Sequence, residues 1–178
     1  MILIINTCYE NLSEYEFVKP IVSIVSKLSM EYEIKHYSKL PNDLLKYDKI
    51  IICGTAFKDN YYINDIDKFS WLKKITIPVL GICSGMQVLC LAYGAEIEKK
   101  KEIGMIKVKT LKENLLFENQ FEVYALHENS LVNLNSFEIL AKSKTCVQAV
   151  KHNDKHLYGI LFHPEVRNES IVINFLEF

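Results

Sequence analysis

One cysteine in this chain is flanked by glycines two residues to either side, in Gly81-Ile82-Cys83-Ser84-Gly85. An apolar, strand-like run beginning at Pro78 enters the segment, and a helix-like run through Met86 and Gln87 leaves it. That pattern describes a nucleophile elbow, a strand-to-helix turn so tight that residues with a Cβ do not fit beside the nucleophile. The elbow offers a thiol at the first turn of a helix, where the peptide dipoles favour negative charge and the thiolate is the reactive species. A thiolate attacking a carbonyl carbon needs a partner that protonates the leaving group and later activates water. Five histidines are available: His36, His127, His152, His156 and His163. His163 is the best placed, because it follows the apolar run Tyr158–Phe162 at the strand's carboxyl end. Pro164 stiffens the turn after it, and Glu165, two residues on, can hold the imidazole in its productive tautomer.

The elements that must carry these residues alternate in the first half of the chain. Met1–Asn6, Glu33–Tyr37, Asp48–Cys53 and Pro78–Ile82 read as strands, and Ile50-Ile51-Ile52 has the continuous apolar character of a doubly covered parallel strand. Tyr15–Ser29, with Phe17, Ile21, Ile24, Val25 and Leu28, has helical spacing; so have Asp65–Lys74, capped near Asn64 or Asp65, and Ser84–Tyr93. Gly54–Asn64 is expected to be a polar loop. The second half is richer in strands: Gly104–Leu111, Phe121–His127, Phe137–Ser143, Cys146–His152 and Leu157–Phe162. Asn168–Phe178 closes as an amphipathic helix with Asn168 or Ser170 near its cap. The expected fold is α/β, a mainly parallel central sheet with helices on both faces and an additional antiparallel β segment. In such sheets ligands bind at the carboxyl ends of strands, where Cys83 and the Gly54 loop both fall.

Composition narrows the function classes. At 178 residues and 49% hydrophobic, the chain suits one domain spanning residues 1–178. A net charge of −1 argues against nucleic acid or an anionic membrane as a bulk electrostatic partner. The basic run Lys99-Lys100-Lys101 before Glu102 is expected in a solvated hairpin or loop. No apolar run reaches the roughly 18 residues of a membrane helix, and Met1–Asn6 looks like a buried strand rather than a signal peptide. Five cysteines without Cys-x-x-Cys spacing point to a reduced, cytoplasmic setting, with neither a disulfide framework nor a metal site expected.

Gly81-Ile82-Cys83-Ser84-Gly85-Met86-Gln87 together with Phe162-His163-Pro164-Glu165 resembles the class I (triad) glutamine amidotransferases in order, separation and element type. The resemblance implies a flavodoxin-like fold and hydrolysis of L-glutamine to glutamate and ammonia through a glutamyl thioester. Cys83 would be the nucleophile, His163 the acid and base, and Glu165 the orienting carboxylate. It further implies an oxyanion hole from the Ser84 N–H and a donor in the Gly54-Thr55 loop, and substrate contacts from Gln87, Glu128 and Asn129, which adjoin His127. Within that family the chain looks like the separate glutaminase subunits of archaeal-type GMP synthases, notably at Leu89–Glu96, Phe137–Ser143 and Tyr158–Glu165. On that likeness ammonia would pass to an ATP-pyrophosphatase-type synthetase subunit that makes GMP from XMP. This chain would carry no cofactor; ATP and Mg2+ would belong to the partner.

The chain departs from that pattern in several places. Thr55 stands where the oxyanion loop commonly has a second glycine, and a Cβ there resists a positive φ. Leu161 replaces a common glutamine, Asn129 a common aspartate, and Met86 the histidine of many GMP synthases. Three alternatives therefore stay open: a paralogue serving another ammonia acceptor, a γ-glutamyl hydrolase or peptidase, and a catalytically silent regulatory subunit.

Overall fold

A computed structural model describes residues 1–178. Nine strands form one sheet: β1 (Ile2–Asn6), β2 (Tyr32–His36), β3 (Lys49–Ile52), β4 (Val79–Ile82), β5 (Glu96–Thr110), β6 (Gln120–Val132), β7 (Phe137–Lys142), β8 (Val147–His152) and β9 (Leu157–Ile160). Their spatial order is β2-β1-β3-β4-β9-β8-β7-β5-β6. The first five in that order are parallel, and from β9 onward the pairings are antiparallel. The helices are α1 (Glu14–Phe17), α2 (Lys19–Lys27), α3 (Tyr61–Asn64), α4 (Ser84–Ala92) and α5 (Ser170–Glu177).

Side chains alternate across the parallel strands and so divide the core in two. Ile2, Ile4, Ile51, Leu80 and Ile82 face Phe17, Ile21, Val25, Val172 and Phe175 of the α1, α2 and α5 layer. Leu3, Ile5, Ile50, Ile52 and Val79 face Met86 and Leu89 of α4, together with Phe69 and Leu72 of a 3-10 segment, Ile66–Lys73. Helix α4 is enclosed between sheet and 3-10 segment, which is why its residues from Ser84 through Cys90 are all buried.

Several local expectations change. The single helix over Tyr15–Ser29 is broken at Val18, where Pro20 at the start of α2 supplies no N–H for a continuous ladder. The helix over Asp65–Lys74 is 3-10, and the Asp65 side chain caps no N–H but accepts from the Tyr37 hydroxyl and Lys68; one helical turn, α3, forms inside the expected loop. The cap of α5 is Glu169, without a side-chain bond, and Asn168 is left-handed at φ 81°. The lysine run is not a loop. It lies within β5, where a bulge between Lys99 and Glu102 sets Lys100 and Lys101 against the single residue Glu128 of β6.

Strand β5 joins the rest of the sheet only through Lys109 and Thr110, opposite Lys142 and Ala141. The long β5–β6 hairpin is thereby free to fold over the carboxyl ends of the parallel strands. Two contacts fix it there: His163 N–H donates to Tyr124 O at 2.9 Å, and the Cys83 thiol faces Leu126 O at 3.8 Å.

Glycines make the elbow possible. A Cβ on Gly81 would lie 2.4 Å from Gly85 O, and one on Gly85 would lie 2.2 Å from Ile52 O. Gly94, at φ 88°, has nothing within 4 Å of such an atom. Gly85→Ala should therefore cost about 3 kcal/mol of stability by overpacking, against about 1 kcal/mol for Gly94→Ala from backbone strain alone. Urea unfolding of the two variants measures this, and equal losses would refute the steric account.

Candidate active site

Cys83 occupies the N-cap of α4 at φ 52°, ψ −107°. This left-handed conformation is costly for a residue with a Cβ and is held by its surroundings. Its N–H donates to Ile160 O at 2.8 Å and its carbonyl accepts Gln87 N–H at 3.1 Å, so both β9 and α4 grip the residue. Ser84 follows as the first helical residue, a position whose N–H has no intrahelical acceptor. The Ser84 hydroxyl lies 2.9 Å from Thr7 Oγ1 and donates to Cys53 O at 3.2 Å, tying the helix start to the loops after β1 and β3.

His163 is 1% exposed and its Nδ1 lies 2.7 Å from Glu165 Oε1. The Phe17 ring packs against the imidazole at 5.5 Å. Gly54 closes the other side: a Cβ there would come 3.0 Å from His163 Cε1 and 3.3 Å from Cys83 Cβ. Cys83 and His163 thus meet over a residue that has no side chain to separate them. Burial alone would push the imidazole pKa down, but the Cys83 sulfur and then the Glu165 carboxylate outweigh it and hold His163 well above its ordinary 6.5. Burial pushes the thiols of Cys8, Cys53 and Cys90 up, Cys8 to about 11, so these three are poor nucleophiles.

A narrow crevice with room of only about 10 Å³ lies beside the thiol, lined on one wall by Thr55, Asn60 and Tyr62 and on the other by Gln87, Glu128 and Asn129. Every candidate residue therefore falls at one place, but with varied contacts. Gln87 is 2% exposed; its Nε2 donates to Asn129 O at 3.1 Å and its Oε1 accepts the Tyr62 hydroxyl. Glu128 pairs with Lys99 at 3.0 Å. Asn60 joins the two walls: its amide donates to Glu128 Oε1 at 3.2 Å and accepts from Asn129 Nδ2 at 3.0 Å. Neither Gly54 nor Thr55 has a positive φ, so the steric objection to threonine in this loop does not apply. Thr55 is instead a brace, its hydroxyl donating to Asp59 Oδ2 at 2.6 Å, the same oxygen that accepts Tyr9 N–H at 2.7 Å.

Sequence reasoning missed Thr7, Asn60 and Tyr62. Tyr62 alone carried a signal: it adjoins Tyr61 in a polar stretch, and a large ring there is either buried or sticky. Here Tyr62 is 2% exposed while Tyr61 stacks on Tyr9 at the surface, with ring centroids 4.0 Å apart.

Comparison with known proteins gives one consistent answer. The family model described as glutamine amidotransferase class-I matches residues 12–176. A glutamine-hydrolyzing GMP synthase subunit from Methanosphaera stadtmanae is 45% identical over 100 residues, 52% of this chain and 53% of that protein. Its counterpart in Methanocaldococcus jannaschii, of the same name, is 44% identical over 97 residues, 51% of this chain and 52% of its own length. The chain spans about half the length of the curated relatives it matches. Among solved structures, a putative GMP synthase subunit from Thermoplasma acidophilum superposes with a TM-score of 0.86 at 24% identity, covering 99% of this chain and 92% of that one. A glutamine amidotransferase from Thermotoga maritima gives 0.75 at 20% identity, covering 99% and 81%. At these identities the structural likeness is one of fold.

The raised His163 pKa has a consequence for stability. A histidine held charged in the fold contributes most below its unfolded value of 6.5, and the contribution is lost as pH rises through the higher folded value. Glu165→Gln removes one of the charges that raise it. The stability deficit of this variant should be greatest near pH 6 and shrink at alkaline pH, read by denaturant unfolding across a pH series. A deficit that grows with pH would contradict the charged pair.

Proposed function

This chain belongs to the class-I glutamine amidotransferase family, and on that premise we propose that it hydrolyses L-glutamine to glutamate and ammonia. The observation that carries the reading is the meeting of Cys83, His163 and Glu165 over Gly54, beside a crevice lined by amide and carboxylate side chains.

The Cys83 thiolate attacks the carboxamide carbon and the C=O π electrons move to oxygen. The Ser84 N–H and an N–H from Gly54–Ala56 hold the resulting oxyanion. The His163 imidazolium gives its proton to the departing nitrogen, ammonia leaves, and a glutamyl thioester remains on Sγ. Neutral His163 then takes a proton from water, hydroxide adds to the thioester, and glutamate departs as the thiolate re-forms. Glu165 keeps the imidazole oriented and supports its positive charge in both steps. Gln87, Glu128 and Asn129 bind the amino-acid end of the substrate. For glutamine to enter, the Asn60 bonds across the crevice must part.

Ammonia passes to a separate ATP-using synthetase, and the relatives favour GMP formation from XMP as its destination. The exposed stack of Tyr9, in the loop after β1, and Tyr61, at the start of α3 in the connection after β3, lies at the edge of the sheet where Cys83 opens, and is the face we assign to that partner. ATP and Mg2+ belong to the synthetase in this scheme. No helix here is long and apolar enough to cross a membrane.

Cys83→Ala should lower kcat for glutamine hydrolysis by at least about 10³-fold with an unchanged far-UV spectrum. Glu165→Gln should lose about 10²–10⁴-fold. A glutamine-like diazoketone should add one mass equivalent at Cys83. Retained turnover in Cys83→Ala, or labelling of another cysteine, would overturn the assignment.

A further inference from the structure

A second cluster of side chains lies next to the crevice beside Cys83, sharing with it only His127, and it has no role in the reaction above. Glu102 of β5, His127 of β6 and Cys146, in the turn just before β8, bring one donor atom each within 4.8 Å of one another. Glu102 is 9% exposed and His127 is 2% exposed. From these three residues we infer a binding site for a borderline-soft divalent cation of the zinc type.

The hydrogen bonding of His127 is the first reason. Its Nδ1 lies 3.1 Å from Lys100 O, and a carbonyl can only accept, so the ring proton sits on Nδ1. The other nitrogen, Nε2, then presents a lone pair to Glu102 Oε2 at 3.4 Å. It is buried and has no hydrogen-bond partner. With the ring neutral, two electron-rich atoms face each other in a buried space, which is unfavourable unless a second ring proton or a metal cation lies between them. The Cys146 thiol can donate to Glu102 Oε2, at 3.4 Å, but that leaves Nε2 unserved.

Spacing is the second reason. A tetrahedral site with bonds of about 2.0–2.3 Å has donor–donor edges of roughly 3.3–3.8 Å. The Glu102–His127 and Glu102–Cys146 edges are both 3.4 Å. One nitrogen, one sulfur and one carboxylate oxygen is a donor set that suits Zn2+ rather than Mg2+ or Ca2+. Three protein ligands leave a fourth position for water.

The surroundings are built to hold the donors. The β5 bulge turns Lys100 O toward the His127 ring while keeping Glu102 opposite His127 in register. Such a carbonyl fixes the tautomer of a ligating histidine. Ser143 Oγ accepts Cys146 N–H at 3.1 Å and so sets the turn that carries the thiol. Gln148 Nε2 donates to Glu102 Oε2 at 2.7 Å and lies 3.2 Å from Cys146 Sγ. On binding, the cation replaces the thiol proton, which passes to solvent, and links β5, β6 and β8. Leu126, whose carbonyl faces the Cys83 thiol, adjoins His127, so a bound cation would brace the strand opposite the nucleophile. The site does not depend on the glutaminase reading.

The test uses the full chain, stripped with a chelator and titrated with Co2+. One equivalent should bring a near-ultraviolet thiolate-to-cobalt charge-transfer band and intense visible bands of tetrahedral geometry, all bleached by Zn2+. Cys146→Ser should lose the charge-transfer band, and Cys83→Ala should keep it. Glu102→Gln, which preserves shape, should weaken Co2+ binding at least about 10-fold. Zn2+ should raise the Tm of the parent protein and leave that of Cys146→Ser unchanged. Absence of the band in the parent protein would show an ion pair and hydrogen bonds only. A band retained in Cys146→Ser, or lost in Cys83→Ala, would place the metal elsewhere. Either result overturns the proposal.

Discussion

The close approach of α4 to the parallel sheet governs the rest of the site. Gly85 packs its Cα against Ile52 O, and Gly81 lies against the backbone of Gly85. With the helix start pressed so near β3 and β4, the chain can turn from strand to helix only through the left-handed conformation at Cys83. That turn directs the thiol to the carboxyl edge of the sheet. His163 reaches the same edge because β9 pairs in register beside β4, Ile82 opposite Ile160. The reactive pair is thus fixed by backbone pairing and a glycine contact before any side chain is chosen.

Some polar residues around the thiol hold one another, while Asn129 Oδ1, His163 Nε2 and Glu165 Oε2 are buried without a partner. Gln87 is held by Tyr62 and Asn129, Asn129 by Asn60, and Thr55 by Asp59. Buried amides without partners are expensive, so most of these groups are paired among themselves and the few left over, such as Asn129 Oδ1, are acceptors or donors open to a polar ligand. Binding then exchanges one set of hydrogen bonds for another, which moderates affinity and lets the product leave.

That Cys83, His163 and Glu165 come together could be read from sequence because the signals are local. Glycines at fixed offsets mark the elbow, and Glu165 lies two residues from His163. Strand type along the first half was legible for the same reason, since each apolar run carries its own period. What escaped notice depends on long-range register. Nothing near Lys99 announces the bulge, which exists because β5 meets β6 with one residue to spare. The pairing of Asn60 with Asn129 crosses 69 residues and that of Glu102 with His127 crosses a hairpin. Thr55 suggests strain in the sequence only because a side chain stands at an unusual position; the loop has no positive φ there.

The place of β9 in the sheet also has a consequence for how the protein comes into being. This strand lies between β4 and β8, near the middle of the sheet, yet it is the last strand in sequence. Until residues 157–165 have been made, β4 has a bare edge, Cys83 N–H lacks its acceptor on Ile160, and no imidazole stands beside the sulfur. A nascent chain that already contains the cysteine therefore carries an unarmed thiol. The parallel half cannot close around a partial product, since that would require pairing over a long sequence separation with a strand not yet present. The pairing of Cys83 with His163 arrives together with completion of the fold, and a truncated chain has the cysteine without the imidazole beside it.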